Sequence, residues 1–312
     1  MIQDYEKMLK AYSEAGGAPE AFRDSRVAHL VVHKNQVFGS HKVKGLVLEP
    51  RETETGVDIN LVVEKGHKIE FPVHLCFGVL PDQGIQDIKI RVKVEDNAKV
   101  SLLAHCIFPN AVRVIHRMDA EIEIGNEASY EYNEVHYHGT TGGVEVIPKA
   151  KVKVGELGVF RTSFSLTKGR VGVFDLDYQA QVEEEGVLEM SARVFGYGDD
   201  SIRIREVGNL MGRGSRGLLK SRVAVKDNAT SEIFNEMKAS APEARGHVDC
   251  VEIVQGNAKA QATPVVSVLN EFARVTHEAA IGRVDKKQVE TLMARGLEES
   301  EAIDLVISGM LK

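Results

Sequence analysis

The sequence predicts a chain dominated by β-structure and built as a stack of similar coils. Three observations carry this reading. First, short runs alternating apolar and polar residues recur between Val27 and Val268, among them Lys89-Ile90-Arg91-Val92-Lys93-Val94, Ala120-Glu121-Ile122-Glu123-Ile124 and Ser201-Ile202-Arg203-Ile204-Arg205. Period two places one face of such a run in a core and the other in water. Second, polar turns of one form separate the runs: Asp96-Asn97-Ala98, Gly125-Asn126-Glu127-Ala128, Asp227-Asn228-Ala229 and Gly256-Asn257-Ala258. Asn, Asp and Gly tolerate the left-handed backbone of tight turns. Third, the turns are regularly spaced. Asn97 to Asn126 and Asn228 to Asn257 are each 29 positions, and Gly155-Glu156 and Glu185-Gly186 fall near intervening multiples. A repeat of this length suggests a β-solenoid whose coils bury their apolar faces on one another. An antiparallel sandwich, with a turn about every 8–12 residues, is the competing architecture.

Three segments follow. Residues 1–27 form an N-terminal helical cap: Tyr5, Met8, Leu9 and Tyr12 keep helical spacing, and Gly16-Gly17 and Pro19 end it. Residues 28–270 form the β core. Residues 271–312 form a strand-to-helix segment. Its strand-like run ends in His277-Glu278, and Asp285 with Gln288 then makes a capping-box start. Val289, Leu292 and Met293 share one face of the first helix, and Gly296 supplies a left-handed stop. Ala302, Ile303, Val306, Ile307 and Met310 share one face of a second helix. Helices this short are marginal alone, so both apolar faces must pack on the body or on a partner.

Composition excludes several classes. A net charge of −7 argues against bulk nucleic-acid binding, which needs clustered cations. No apolar run approaches the roughly 20 residues that span a bilayer, and no signal peptide precedes Met1-Ile2-Gln3-Asp4. Three cysteines are too few for a secreted disulfide scaffold, so a cytoplasmic location is expected.

The C-terminal segment carries an ordered set of motifs: Ala273-Arg274-Val275, His277-Glu278-Ala279, Asp285, Gln288, Leu292 to Gly296, and Glu301-Ala302. This set resembles the end of the SufB/SufD family, scaffold proteins of iron–sulfur cluster assembly. The resemblance runs from about residue 90 to 312 and is densest from 208 onward. It implies a right-handed parallel β-helix core and a non-enzymatic scaffold that works with a SufC-like ABC ATPase docked on the C-terminal helices. Val289, Leu292, Met293, Ile303, Val306 and Ile307 are the candidate docking residues. It also implies a dimer through the β-helix, with itself or a related SufB/SufD-like subunit, and delivery of clusters to acceptor proteins. The chain lacks most of the large N-terminal region of SufB, which places it nearer the compact prokaryotic members. His-Glu at 277–278 matches SufB, where SufD commonly has His-Gly.

The family pattern also places a Cys six positions before a turn Gly, and Cys250 to Gly256 is six. A second family cysteine after that turn is absent, with Ala258 and Lys259 there instead. Cys250 and Glu278 are 28 positions apart, close to one coil. Residues one period apart lie on adjacent coils about 5 Å apart, so Cys250, His277 and Glu278 are the candidate ligands of a transient iron–sulfur cluster. Thiolates hold such clusters, and His can replace Cys. A site with few thiolates binds weakly, as a scaffold that releases its cargo requires. The alternative is a solenoid that anchors the ATPase and binds no metal, a SufD-like role, with Cys250 a small buried hydrophobe.

Other constellations are weaker. Cys76 and Cys106, 30 positions apart with His74 and His105 nearby, read as small buried side chains in a column before a second thiol site. His136 and His138 share a strand face that reads as solvated; zinc needs four ligands and two are visible. The Gly208–Gly217 run lacks the Gly-Lys-Ser/Thr and following helix of a phosphate loop, and Leu218 to Val223 reads as strand. A β-helix carbohydrate enzyme needs grouped acids, and Asp199-Asp200 is the one obvious pair.

Overall fold

The computed structural model describes residues 2–311. It is a two-sheet β-solenoid of about eight turns, and the sandwich alternative is excluded because the successive strands of each sheet run parallel. The first sheet stacks strands His29–His33, Val73–Gly78, Lys99–Phe108, Ser129–His138, Val159–Leu166, Val187–Gly196, Arg216–Val225, Arg245–Val254 and Arg274–Gly282. The second stacks Gly56–Val63, Gln83–Val94, Arg113–Ile124, Val144–Val154, Val173–Val182, Ser201–Leu210, Thr230–Ala239 and Lys259–Val268. The chain passes from one sheet to the other at every turn. Antiparallel strands Gln36–His41 and Leu46–Glu52 cover the N-terminal edge of each sheet. Among the described residues, the C-terminal edges, Arg274–Gly282 and Lys259–Val268, have no strand beyond them.

The alternating runs behave as their period requires. Ile88, Ile90, Val92 and Val94 point inward, as do Ala120, Ile122 and Ile124 on the next coil. Aromatic rings fill the middle, with Phe164 stacked on Phe174 at 4.5 Å and Tyr130 on Phe160 at 5.8 Å. The turn motif serves two different corners of the coil. Asn97 and Asn126 lie where the chain leaves the second sheet, whereas Asn228 and Asn257 lie where it leaves the first. Asn126 to Asn228 is 102 positions, about three and a half coils, which accounts for the switch. At the first corner the turns form a ladder: Asp96 Oδ1 accepts from Asn126 N and Asn126 Oδ1 accepts from Glu156 N, each at 3.0 Å.

The Gly208–Gly217 run spans the end of strand Ser201–Leu210, a corner at residues 211–215 and the start of Arg216–Val225, which is a strand as expected. A Cβ on Gly212 would meet the backbone of Glu183 and Glu184 on the preceding coil, so glycine is needed for close stacking.

Helix α1 (Ile2–Glu14) lies on the outer face of the first sheet. Met8 and Tyr12 pack with Phe22, Val31, Cys76 and Ile107, as the helical spacing predicted. At the other end, α2 (Lys286–Met293) is capped by Asp285, whose side chain accepts from Gln288 N. Helix α3 (Glu299–Met310) opens with a capping box between Glu298 and Glu301. Ile307 and Leu311 seat α3 on Phe195, Ala224 and Ile253 of the first sheet, and Lys226 Nζ pairs with Asp304 at 2.6 Å. Among the described residues, no helix is long and apolar enough to cross a membrane.

Candidate functional site

Cys250 is fully buried on the inner face of Arg245–Val254. It aligns with Ser221 on the coil below and Ala279 on the last coil. Its surroundings are polar for a core. Asn235 Nδ2 lies 3.5 Å from its Sγ and 2.9 Å from Ser221 Oγ, and Glu206 lies 3.5 Å from Ser221 Oγ. Burial pushes the Cys250 thiol up to about 12, with Glu206 and Glu252 adding to it, and pushes Glu206 up to about 8. Asn235 Oδ1 and Glu252 Oε1 are buried with no hydrogen-bond partner. Sequence reasoning missed Glu206, Ser221 and Asn235, which lie one or two coils from Cys250 at inward positions. Only the register reveals them.

The last coil places small side chains over this polar group. Ala279 caps Cys250, and Ala262 and Pro264 align with Ile233 and Asn235. With strands about 4.8 Å apart, Cys250 sits one coil beneath the open end. His277 aligns with Val248 and shares the inner face with Cys250. Glu278 aligns with Asp249, so it lies on the opposite, outer face of the strand, where Arg222 holds Asp249 in a paired contact. His277 and Glu278 are both exposed. The register therefore brings His277 to the face of Cys250 and leaves Glu278 behind it.

The chain matches the model of the SUF system FeS cluster assembly SufBD core domain over residues 82–310. An iron-sulfur cluster assembly SufBD family protein of Methanocaldococcus jannaschii is 35% identical over 305 residues, covering 98% of this chain and 96% of the relative. The chain belongs to the SufBD family. A family member of Pyrococcus horikoshii is 36% identical over 310 residues, covering 99% of this chain and 94% of its own length. The iron-sulfur cluster assembly protein SufD of Bacillus subtilis is 24% identical over 269 residues, 80% of this chain and 58% of that protein. This SufBD chain is thus an iron–sulfur cluster assembly protein.

The candidate docking residues divide in two. Val289 and Ile307 are buried, and Ile303 packs against the α3 seat. Leu292 and Val306 are half-buried, whereas Met293 is exposed, as are Leu305 and Met310.

Two expectations about the N-terminal half are corrected. Cys76 and Cys106 do not form a column: Cys76 aligns with His105 and Phe77 with Cys106, so the two thiols lie on opposite faces of the sheet. Cys76 packs against α1, and Cys106 faces the interior. His136 and His138 are buried rather than solvated. The polar-looking face of Ser129–His138, carrying Glu134, His136 and His138, is its inner face.

Proposed function

We propose that this SufBD protein is the scaffold subunit of a SUF-type assembly complex, acting in the cytoplasm with a SufC-like ABC ATPase to build and release clusters. The observation that carries the reading is the position of Cys250, one coil beneath two uncovered sheet edges. Uncovered edges are templates for pairing with another chain. A second copy, or a related subunit, seated there covers the Cys250 end and doubles the ligands, and a cluster usually takes about four. Cys250 and His277 approach the cluster from the inner face. Glu278, on the outer face of the same strand, serves the adjoining chain of a two-chain site. The cluster is cargo to be handed to acceptor proteins, so a weak ligand set suits it. An ATP-driven movement of the docked partner biases this end between closed and open forms.

Helices α2 and α3 form the docking surface, with Met293, Leu292 and Val306 toward the partner and Val289, Ile303 and Ile307 holding the helices in place. The experiment is co-purification with a SufC-like ATPase. Met293→Asp combined with Leu305→Asp removes exposed apolar surface without touching the α3 seat. Loss of the partner at unchanged thermal stability supports the reading. Full retention of the partner refutes this docking surface.

The complete burial of Cys250 favours a second reading, a solenoid that anchors the ATPase in a SufD-like role and binds no metal.

A further inference from the structure

A second polar group lies deep inside the solenoid, far in sequence from Cys250. Cys106, His116, Glu134 and His136 are all buried, and one donor atom from each lies within 4.8 Å of the others. They come from three successive strands. Cys106 and His136 are direct register partners on adjacent coils of the first sheet, Glu134 is two residues before His136, and His116 enters from the second sheet. Glu134 Oε1 lies 2.7 Å from His136 Nε2 and accepts from the Cys106 thiol at 3.6 Å.

We propose that these four side chains form a buried site for one divalent first-row transition metal ion, Zn²⁺ or Fe²⁺. The donor set is the first argument. One thiolate, two imidazoles and one carboxylate make a complete tetrahedral shell of the kind both ions accept. Bonds of about 2.0–2.3 Å hold tetrahedral donors about 3.3–3.8 Å apart, so side-chain adjustment of about 1 Å closes the site.

The second argument is what the group lacks. Glu134 is 2% exposed and its Oε2 has no hydrogen-bond partner. The partners of its other oxygen are His136 and Cys106, and neither is a lysine or arginine. All four side chains are buried, and the acidic donors among them are the Cys106 thiol and the Glu134 carboxyl. A divalent ion displaces the two acidic protons and leaves a neutral assembly, which removes the cost of a buried orphan carboxylate.

The third argument is the outer shell. A ligating histidine characteristically has its other ring nitrogen held. Here His116 Nδ1 is 3.1 Å from Gln86 Oε1, and Gln86 Nε2 donates to Lys34 O at 2.9 Å. His136 Nδ1 is 3.2 Å from His138 Nε2, and His138 Nδ1 is 2.9 Å from Arg170 O. Both Nε2 atoms are thereby left for the ion. Three successive strands are tied together, and no ligand position stays open, as in structural rather than catalytic sites. The site shares no residue with the Cys250 end and goes beyond the scaffold reading.

The test uses the purified full chain. Metal content is measured as isolated and after equilibration with Co²⁺, Zn²⁺ or Fe²⁺ separately under anaerobic conditions. The expected result is stoichiometric metal, a thiolate-to-cobalt charge-transfer absorption with Co²⁺, and a rise in melting temperature on metal addition. Cys76→Ser, at a thiol on the other face of the sheet, keeps all three. Cys106→Ser, nearly isosteric, loses the charge-transfer band, and Glu134→Gln loses the metal-dependent rise in melting temperature. The Zn²⁺ and Fe²⁺ arms identify the ion by which raises the melting temperature more at equal concentration. Absence of stoichiometric metal in every arm, or an unchanged charge-transfer band in Cys106→Ser, overturns the proposal.

Discussion

Asp200 is a buried carboxylate on which two coil turns depend. Its side chain is 0% exposed, while that of its neighbour Asp199 is 91% exposed, and both pair with Arg170. Asp200 accepts from Arg170 Nε at 2.8 Å and from the backbone N–H groups of Val171, Gly172 and Tyr197, each at 3.0 Å. One carboxylate thus ties two coil turns together. Asp200→Ala leaves a partly buried guanidinium without its buried partner. Breaking such a pair costs about 3–5 kcal/mol, and three orphaned N–H donors push the loss toward the upper end. Asp199→Ala removes an exposed partner of the same arginine and should leave stability within error, because solvent already screens that contact. The damage should also reach the docking helix. Tyr197 lies under both Arg170 and Lys226, and Lys226 holds Asp304 of α3. The assay is urea unfolding, comparing midpoints at equal slope, with exchange protection of α3 as a second readout. Equal midpoints for Asp200→Ala and Asp199→Ala would refute the reasoning.

Lowering pH should loosen the N-terminal cap before the core. Burial lowers the pKa of His29, His33 and His74 in the folded chain, and Tyr12 Oη is 2.7 Å from His74 Nδ1. The unfolded cap then binds more protons below about pH 6.5, so its stability is complete above that value and falls as pH drops through it. Hydrogen exchange at Met8 and Tyr12, corrected for intrinsic rates, should rise relative to Val187–Gly196; a constant ratio contradicts this. Gly212→Ala should destabilise by about 1–3 kcal/mol, because the new methyl meets backbone of the preceding coil. Gly282→Ala, with open space at its Cβ, should be neutral, and equal unfolding midpoints for the two variants would show that the corner does not need glycine.

The solenoid was legible because two signals agree, the period of two within runs and the period near 29 between turns. The α1 packing face and the strand after Gly217 followed from local pattern alone. The site was less legible, and the reason is specific. Coil length varies: Val114 to Val144 is 30, Val159 to Val187 is 28, and Ser221 to Cys250 is 29. An error of one residue moves a side chain to the other face of a strand. Cys250 to Glu278 is 28 against a local register of 29, and Cys76 to Cys106 is 30 against 29, so each pair is split across its sheet. His136 and His138 misled for another reason. The inner face of their strand carries more polar side chains than an ordinary core, and alternation alone does not say which face is inside. On the C-terminal helices spacing does not tell body from partner: Val289 and Ile307 turn inward, whereas Met293 and Met310 stay exposed.

The central claim is that Cys250 holds iron at the open end of the solenoid. Anaerobic reconstitution with iron and sulfide, followed by iron and sulfide stoichiometry per chain, tests it most directly. Wild type should carry an oxygen-sensitive cluster. Cys250→Ser should lose most of the sulfide-associated iron, since an alcohol is a poor ligand for soft metals. Cys106→Ser, measured in parallel, should keep its sulfide. Equal iron and sulfide in wild type and Cys250→Ser would contradict the account and leave the metal-free anchor in its place.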